Sequence, residues 1–305
     1  MSIASGGKTT SVATIGFFDG VHLGHRHLID HLTAVARKEG KRAMVITFGC
    51  HPREVIEQGY TAQLLTPIQE KIRLIEAAGC DEVVVLPFDK TMADMSAEEF
   101  MSKELRDHLH VDHLIMGYDN RFGNSRGAGF PDYVQIGKQL GIEVERYDVL
   151  QVGETGVGSS LIRQKIGCGE MEQANQFLGR PYRLIGNVTE GYHEGRRLGF
   201  PTANITLSEP RQLLPASGVY AVKASCRLFS EPVPAMMNIG QRPTFSGHGF
   251  SVEVHVIDTQ ADFYGCEMQV DVYCRIRNER KFDTPEQLAL QLAADRDEVT
   301  AYFKR

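Results

Sequence analysis

The 305-residue chain has no apolar run near the roughly 18 residues that a membrane-spanning helix needs, which excludes a helical membrane protein. Met1 to Thr10 are small and polar, without the apolar core of a secretory signal, so a cytoplasmic protein is expected. The six cysteines (Cys50, Cys80, Cys168, Cys226, Cys266, Cys274) are scattered, and no Cys-x-x-Cys occurs. That argues against a zinc site or a disulfide framework and for reduced thiols. Basic residues are not in excess: 33 Lys and Arg stand against 39 Asp and Glu, a formal net charge of −6. No nucleic-acid or membrane surface is expected, and any phosphate-binding charge has to be local. A Gly-x-Gly-x-x-Gly is also missing, which argues against a dehydrogenase. Low-complexity segments and evident repeats are absent too. What remains is 42% hydrophobic and 24% charged, an ordinary globular composition long enough for two domains with a core each.

Periodicity changes along the chain. From residue 12 to about 150, apolar runs at Ala43 to Phe48, Glu82 to Phe88, His113 to Gly117 and Ile142 to Leu150 alternate with helical segments. This is the pattern of a parallel sheet covered by helices. Thr66-Pro67-Ile68-Gln69 and Ser96-Ala97-Glu98-Glu99 each set a hydroxyl three residues before Gln or Glu, which predicts helix starts. After about Pro181 strict alternation takes over, with Val270, Val272, Cys274 and Ile276 on one face against Gln269, Asp271, Tyr273 and Arg275. A small antiparallel barrel is predicted. Thr284-Pro285-Glu286-Gln287 then opens a terminal helix whose apolar side includes Leu288, Leu292 and Val299. Ser159 to Gly179 reads as a helical connection. The expected fold class is α/β plus β, with domains at 1–180 and 181–305.

The segment Thr14-Ile15-Gly16-Phe17-Phe18-Asp19-Gly20-Val21-His22-Leu23-Gly24-His25 is an apolar strand that breaks at Asp19-Gly20 and restarts as a helix. Leu28, Leu32 and Val35 carry the helical spacing, so the histidines fall at a helix N-terminus. Unpaired N–H groups and the positive dipole end favour an anion there, and Gly24 lets a phosphate approach the backbone. Two imidazoles beside such a pocket can donate to charge that develops on a phosphoryl group. The stretch resembles the His-x-Gly-His signature of nucleotidyltransferases. Its longer form, Phe18 to His25, is similar to the version in bacterial bifunctional riboflavin kinase/FAD synthetases, which implies a Rossmann-like nucleotidyltransferase domain.

Other pieces match the same family in order. Cys50-His51-Pro52-Arg53-Glu54 follows the second strand, and Gly117-Tyr118-Asp119-Asn120-Arg121-Phe122-Gly123 follows the fourth. Gly158-Ser159-Ser160-Leu161-Ile162-Arg163 resembles the Ser-Ser-Thr-x-Ile-Arg signature. Alone, that last run would be an ordinary helix cap; after the other motifs it favours phosphate binding, with the Arg163 guanidinium able to grip triphosphate oxygens as a fork. Gly158 replaces the first serine of the motif, and Ser160 keeps the hydroxyl of its threonine. Asn120 stands where the family usually has an aromatic or similar residue.

The second half carries Gly186, Gly191, Gly195 and Gly199 in one stretch with Arg196, a loop able to wrap phosphates. Pro201 biases the next residues toward extended backbone, which turns Thr202 and Asn204 to one side. Both supply hard oxygen ligands suited to Mg²⁺ held with nucleotide phosphates. In Phe250-Ser251-Val252-Glu253-Val254-His255-Val256 the valines share one face, and Glu253 with His255 the other. Glu253 could accept a proton from an attacking hydroxyl, although in isolation it would be a solvated strand residue. These residues, with Gly218-Val219-Tyr220, Asn238-Ile239-Gly240, Arg242-Pro243-Thr244 and Asp262-Phe263-Tyr264-Gly265, look like the riboflavin kinase module.

The resemblance spans nearly the whole chain. It implies that Thr202 and Asn204 bind Mg-nucleotide and that Glu253 is the base for the riboflavin 5′-hydroxyl. The first half would then transfer AMP from ATP to FMN, with His22, His25 and Arg163 at the reacting phosphates. Candidate nucleotide and phosphate contacts are Gly16, Phe18, Asp19, Gly24, Asp119, Ser159, Ser160, Gly186, Gly191, Gly195, Arg196 and Gly199. Expected ligands are riboflavin, FMN, FAD, ATP as co-substrate and Mg²⁺; self-association is left open. Two rivals stand beside this reading, a single-activity adenylyltransferase and a flavin-binding regulatory protein. Gly7-Lys8-Thr9 mimics the end of a P-loop without its first glycine or strand. His27 and His31 lie i,i+4 on one helix but show no third metal ligand.

Overall fold

The computed structural model describes residues 10–118, 120–124, 129–148, 151–152, 155–190, 198–244, 247–259 and 261–304. The chain divides into two compact units, Met1–Ala62 with Ile68–Gly158, and Gln63–Pro67 with Ser159–Arg305.

The first unit is built on five parallel strands, β1 (Ser11–Ile15), β2 (Arg42–Phe48), β3 (Glu82–Leu86), β4 (Val111–Gly117) and β5 (Glu143–Tyr147). Their order is β3-β2-β1-β4-β5. Between them run α1 (Leu23–Glu39), α2 (Pro52–Ile56), α3 (Ile68–Ala77), α4 (Lys90–Ala93), α5 (Ala97–Phe100) and α6 (Phe130–Leu140). A π-helical stretch, Met101–His108, continues α5. The sheet is covered on both faces. Ala13, Ile15, Met44 and Ile46 pack with Phe100, Met101, Leu105 and Tyr133, while Val12, Val45 and Ile115 pack with Leu28, Ile29, Leu32 and Ile75. Burial of both faces is why these strands read as unbroken apolar runs. The box at Ser96 and Glu99 forms reciprocally. A two-stranded ribbon, β6 (Gln151–Val152) and β7 (Thr155–Gly156), follows the sheet.

In the second unit, α7 (Ser159–Cys168) and α8 (Met171–Leu178) precede six strands. These are β8 (Tyr182–Thr189), β9 (Ala203–Leu207), β10 (Gly218–Ser225), β11 (Val233–Thr244), β12 (Gly247–Val256) and β13 (Glu267–Arg277). They close a barrel in the order β10-β11-β12-β9-β8-β13 with every pair antiparallel. Leu64 adds a parallel bridge to Gln212: its N–H donates to the Arg211 carbonyl at 2.9 Å, and its carbonyl accepts from Leu213 at 2.8 Å.

The register between β10 and β13 shifts between Ala221 and Val222, yet burial alternates along β13 as predicted, with Met268, Val270, Val272 and Cys274 buried. Cys274 and Ile276 join the cluster beneath the terminal helix. One local departure from the sequence pattern has a physical cause. His255 was expected on a polar face with Glu253, yet it is buried, because Phe200 and Pro201 cover it.

The terminal helix, Pro285–Phe303, starts as its cap predicts, with the Gln287 N–H donating to Thr284 Oγ1 at 3.3 Å. Val299 packs with Phe200, Ala221 and Met236. A charge completes the docking: Asp295 is 1% exposed and accepts from Arg277 Nε at 2.9 Å and Nη2 at 2.8 Å, and from Gln291 Nε2 at 2.6 Å. All six cysteines are free. No described helix is long and apolar enough to cross a membrane.

Removing one partner of a buried ion pair strands the other. Asp295→Ala should therefore cost about 3–5 kcal/mol in the second unit, read as a lowered transition in calorimetry of the full chain. At Gly186 on β8 a Cβ would meet the Thr206 carbonyl oxygen and stand 2.6 Å from Ile205 Cγ2 on the neighbouring strand. Gly186→Ala should destabilise the barrel by about 1–3 kcal/mol through overpacking, checked in the same experiment.

Candidate active sites

The strand order reverses beside β1: the chain moves outward from β1 through β2 to β3, then returns to place β4 on its other side. In open parallel sheets ligands bind outside the carboxyl ends of the strands at such a switch point. The turns after β1 and β4 meet there. Asn120, just past β4, donates from Nδ2 to the Ile15 carbonyl at the end of β1, which gives this unexpected residue a tethering contact. Asp119 lies outside the described residues.

The turn from β1 into α1 is unusual in its backbone. Phe18 and Val21 have φ of 53° and 38°, a region that costs non-glycine residues strain and persists only where the surroundings impose it. Val21 closes the turn by donating its N–H to the Phe18 carbonyl at 3.1 Å. His22 is then the N-cap of α1, and its Nδ1 accepts from the His25 N–H at 3.3 Å. An Nδ1 that accepts is unprotonated, so the proton of the neutral ring sits on Nε2. His25 stacks on His22 with centroids 3.6 Å apart and planes at 17°, and Phe18 meets His25 edge-on at 5.1 Å. The two imidazoles predicted to act together are thus brought together, with Gly16, Phe18 and Asp19 in the turn that carries them. Gly24 has a steric reason as well: a Cβ there would lie 3.2 Å from the His22 ring.

Lys71, on α3, is the residue whose importance sequence does not reveal, since its position reads as an ordinary helix lysine. It is 2% exposed. Its Nζ donates to the Phe17 and Phe48 carbonyls, both at 3.0 Å, and lies 4.1 Å from the Phe17 ring centroid. Burial pushes its pKa down to about 8, opposed by the charge of Asp19. Thr47 donates to the same Phe17 carbonyl at 3.1 Å. His51 caps α2 and meets Phe17 edge-on at 4.7 Å.

Ser159, Ser160 and Arg163 open α7 and belong to the second compact unit. Within it, Arg163 Nε donates to the Gln63 carbonyl at 2.8 Å.

On the barrel, Asn204 of β9 and Glu253 of β12 are directly opposed partners, and Asn238 of β11 opposes Glu253 from the other side. Opposed residues point to the same face with Cβ atoms roughly 5 Å apart. An amide, a carboxylate and a second amide therefore form one row across three strands. Thr202 precedes β9, next to Pro201, whose carbonyl accepts from His255 Nδ1 at 2.8 Å. Burial lowers the His255 pKa, which keeps the ring neutral with its proton on Nδ1. Gly186 lies on β8, and Gly199 has φ of 83°. Gly191, Gly195 and Arg196 lie outside the described residues.

The i,i+4 histidine pair on α1 is otherwise engaged. His31 Nε2 is 2.7 Å from Glu145 Oε1, and His27 Nε2 is 2.8 Å from the Tyr147 hydroxyl. Among the described residues, Glu39, His113 and Glu143 have ligand atoms within 4.8 Å of one another. They lie toward the amino ends of the strands, away from the switch point, and Lys41 Nζ already stands 2.8 Å from Glu39.

Comparison with known proteins matches the two parts of the chain to two family models. Residues 5–161 match the FAD synthetase family model, and residues 178–303 match the riboflavin kinase model. The bifunctional riboflavin kinase/FMN adenylyltransferase of Escherichia coli (strain K12) is 38% identical over 290 residues, 95% of this chain and 91% of that one. The protein of the same name from Bacillus subtilis (strain 168) is 35% identical over 303 residues, 97% of this chain and 93% of its own. A solved Streptococcus pneumoniae structure described as a macrolide-efflux protein superposes with a TM-score of 0.88 at 30% identity, covering 97% of this chain and 96% of that one. With both family models matched in order and relatives aligned over nearly its full length, the chain belongs to the bifunctional riboflavin kinase/FMN adenylyltransferase family.

Proposed function

We propose that this chain makes FAD in two steps, phosphorylating riboflavin with ATP on its barrel and transferring AMP from a second ATP to FMN at its parallel sheet. We divide these roles at 1–180 and 181–305. What supports the reading is that one chain holds both pairs: His22 stacked on His25 at the start of α1, and Glu253 opposed to Asn204 across β9 and β12.

On the barrel, the Glu253 carboxylate accepts the proton of the riboflavin 5′-hydroxyl as that oxygen attacks the γ-phosphorus of ATP, releasing ADP. Asn204, opposite that carboxylate, and Thr202, two residues earlier in the chain, offer amide and hydroxyl oxygens, hard donors that fit Mg²⁺. When bound there, Mg²⁺ neutralises charge on the nucleotide phosphates. Gly186, Gly191, Gly195, Arg196 and Gly199 are assigned to the nucleotide on this side.

At the sheet, an FMN phosphate oxygen attacks the α-phosphorus of ATP and pyrophosphate leaves. His22 and His25 donate to the oxygens on which charge builds, with Gly16, Phe18, Asp19, Gly24 and Asp119 around the nucleotide. The family resemblance assigns Ser159, Ser160 and Arg163 to phosphates as well.

The test is product analysis after incubating the full chain with riboflavin, ATP and Mg²⁺. The parent should yield FAD, His25→Ala should stop at FMN, and Asn204→Ala should give no flavin product from riboflavin yet still convert added FMN to FAD. FMN alone from the parent would remove the transferase assignment, and no product at all would favour a flavin-binding protein. Chelation with EDTA should abolish riboflavin phosphorylation and excess Mg²⁺ restore it; phosphorylation that survives chelation would defeat the metal assignment.

A further inference from the structure

We propose that Lys71 is a positioning residue for adenylyl transfer: by gripping the carbonyls of Phe17 and Phe48 it fixes the turn from which His22 and His25 project. The inference rests on the reading that those histidines serve the transfer.

Lys71 is almost fully buried at 2% exposure, so its ammonium is not placed to touch substrate. Both of its hydrogen bonds, at 3.0 Å, go to main-chain carbonyls at the carboxyl ends of adjacent strands, and the Phe17 ring lies under it at 4.1 Å. Placing an ammonium here is costly, and its depressed pKa records that cost. A methionine of similar length would fill the same space without desolvating a charge. What methionine cannot do is hold two carbonyls at once. One of those carbonyls belongs to Phe17, directly before the left-handed Phe18, and the chain reaches the His22 cap four residues beyond Phe18. Thr47 of β2 also holds the Phe17 carbonyl, and Gly16 donates to Ile46, so β2 and the turn stay joined without Lys71. Loss of Lys71 therefore removes the tie from α3 to the Phe17 and Phe48 carbonyls, which slackens the turn and leaves the hydrophobic layers beneath intact.

The experiment compares Lys71→Met and Lys71→Arg with the parent, all as full chains. Calorimetry of the full chain reports intact folding of the sheet unit, and riboflavin phosphorylation in the same molecule that of the barrel. Lys71→Met should lower kcat for FAD formation from FMN about 100-fold, the scale expected when catalytic groups are slightly misplaced. KM for ATP and for FMN should stay within about threefold, and FMN formation within about twofold. Lys71→Arg, which keeps a cationic donor, should recover at least about a tenth of the parent kcat. A Lys71→Met chain with unchanged FAD formation overturns the proposal. So does one that raises KM at constant kcat, or one in which both activities fall together with thermal stability. If Lys71→Met does not fold, Lys71→Gln takes its place under the same criteria, and failure of both to fold assigns Lys71 a purely structural role. His25→Ala is run alongside: if it leaves FAD formation intact, the histidine reading fails, whatever Lys71 does.

Discussion

The end of β1 is the constraint on which the nucleotidyl half depends. Beyond Ile15 the chain leaves the ladder and enters two left-handed residues, a conformation that its own local sequence disfavours. Neighbouring elements impose it. Gly16 donates to Ile46 of β2 at 3.0 Å, Asn120 reaches Ile15 from beyond β4, and Thr47 and Lys71 both hold Phe17. Contacts from β2, α3 and the turn after β4 thus converge on three residues, and what they fix is the position of a helix start with a histidine as its cap. In the proposed reading, local backbone and imidazole N–H groups hold the polyphosphate, and the net negative charge of the chain does not oppose them.

The barrel reaches a comparable result by another route. Its row of Asn204, Glu253 and Asn238 needs no strained turn, because register alone sets the three residues abreast. Closure removes sheet edges, so these residues are held on both sides by ladders. His255 and Phe200 tie down the loop that brings Pro201 and Thr202 to the start of β9. The bulky cluster under the terminal helix stands behind that loop.

Much of this was legible in the residues, for reasons that differ by element. The parallel sheet announced itself because both faces of β1, β2 and β4 are buried, leaving no polar beat in the sequence. Histidine at the helix start was readable because Asp19-Gly20 marks the break and Leu28 and Leu32 mark the new period. Opposition of Asn204 and Glu253 was not readable, since it depends on which strands become neighbours and in what register. Lys71 and Asp295 escaped for a related reason. Each is a charged residue on an amphipathic helix, and only tertiary structure shows that its helix turns it inward, toward two carbonyls in one case and toward Arg277 in the other.

The short stretch Gln63–Pro67 has a consequence for the order in which the molecule can be assembled. It comes from the middle of the sheet-forming part of the chain, yet it packs with the barrel unit, where Leu64 bridges Gln212 and Gln63 receives Arg163. The barrel unit is thus discontinuous in sequence. During synthesis from the N-terminus its first piece emerges well before its partners and waits, with its backbone donors and acceptors met by water, until Arg211 and Leu213 arrive. No single cut in the chain releases this unit whole, because a fragment that begins at Ser159 leaves Leu213 without the carbonyl to which it donates.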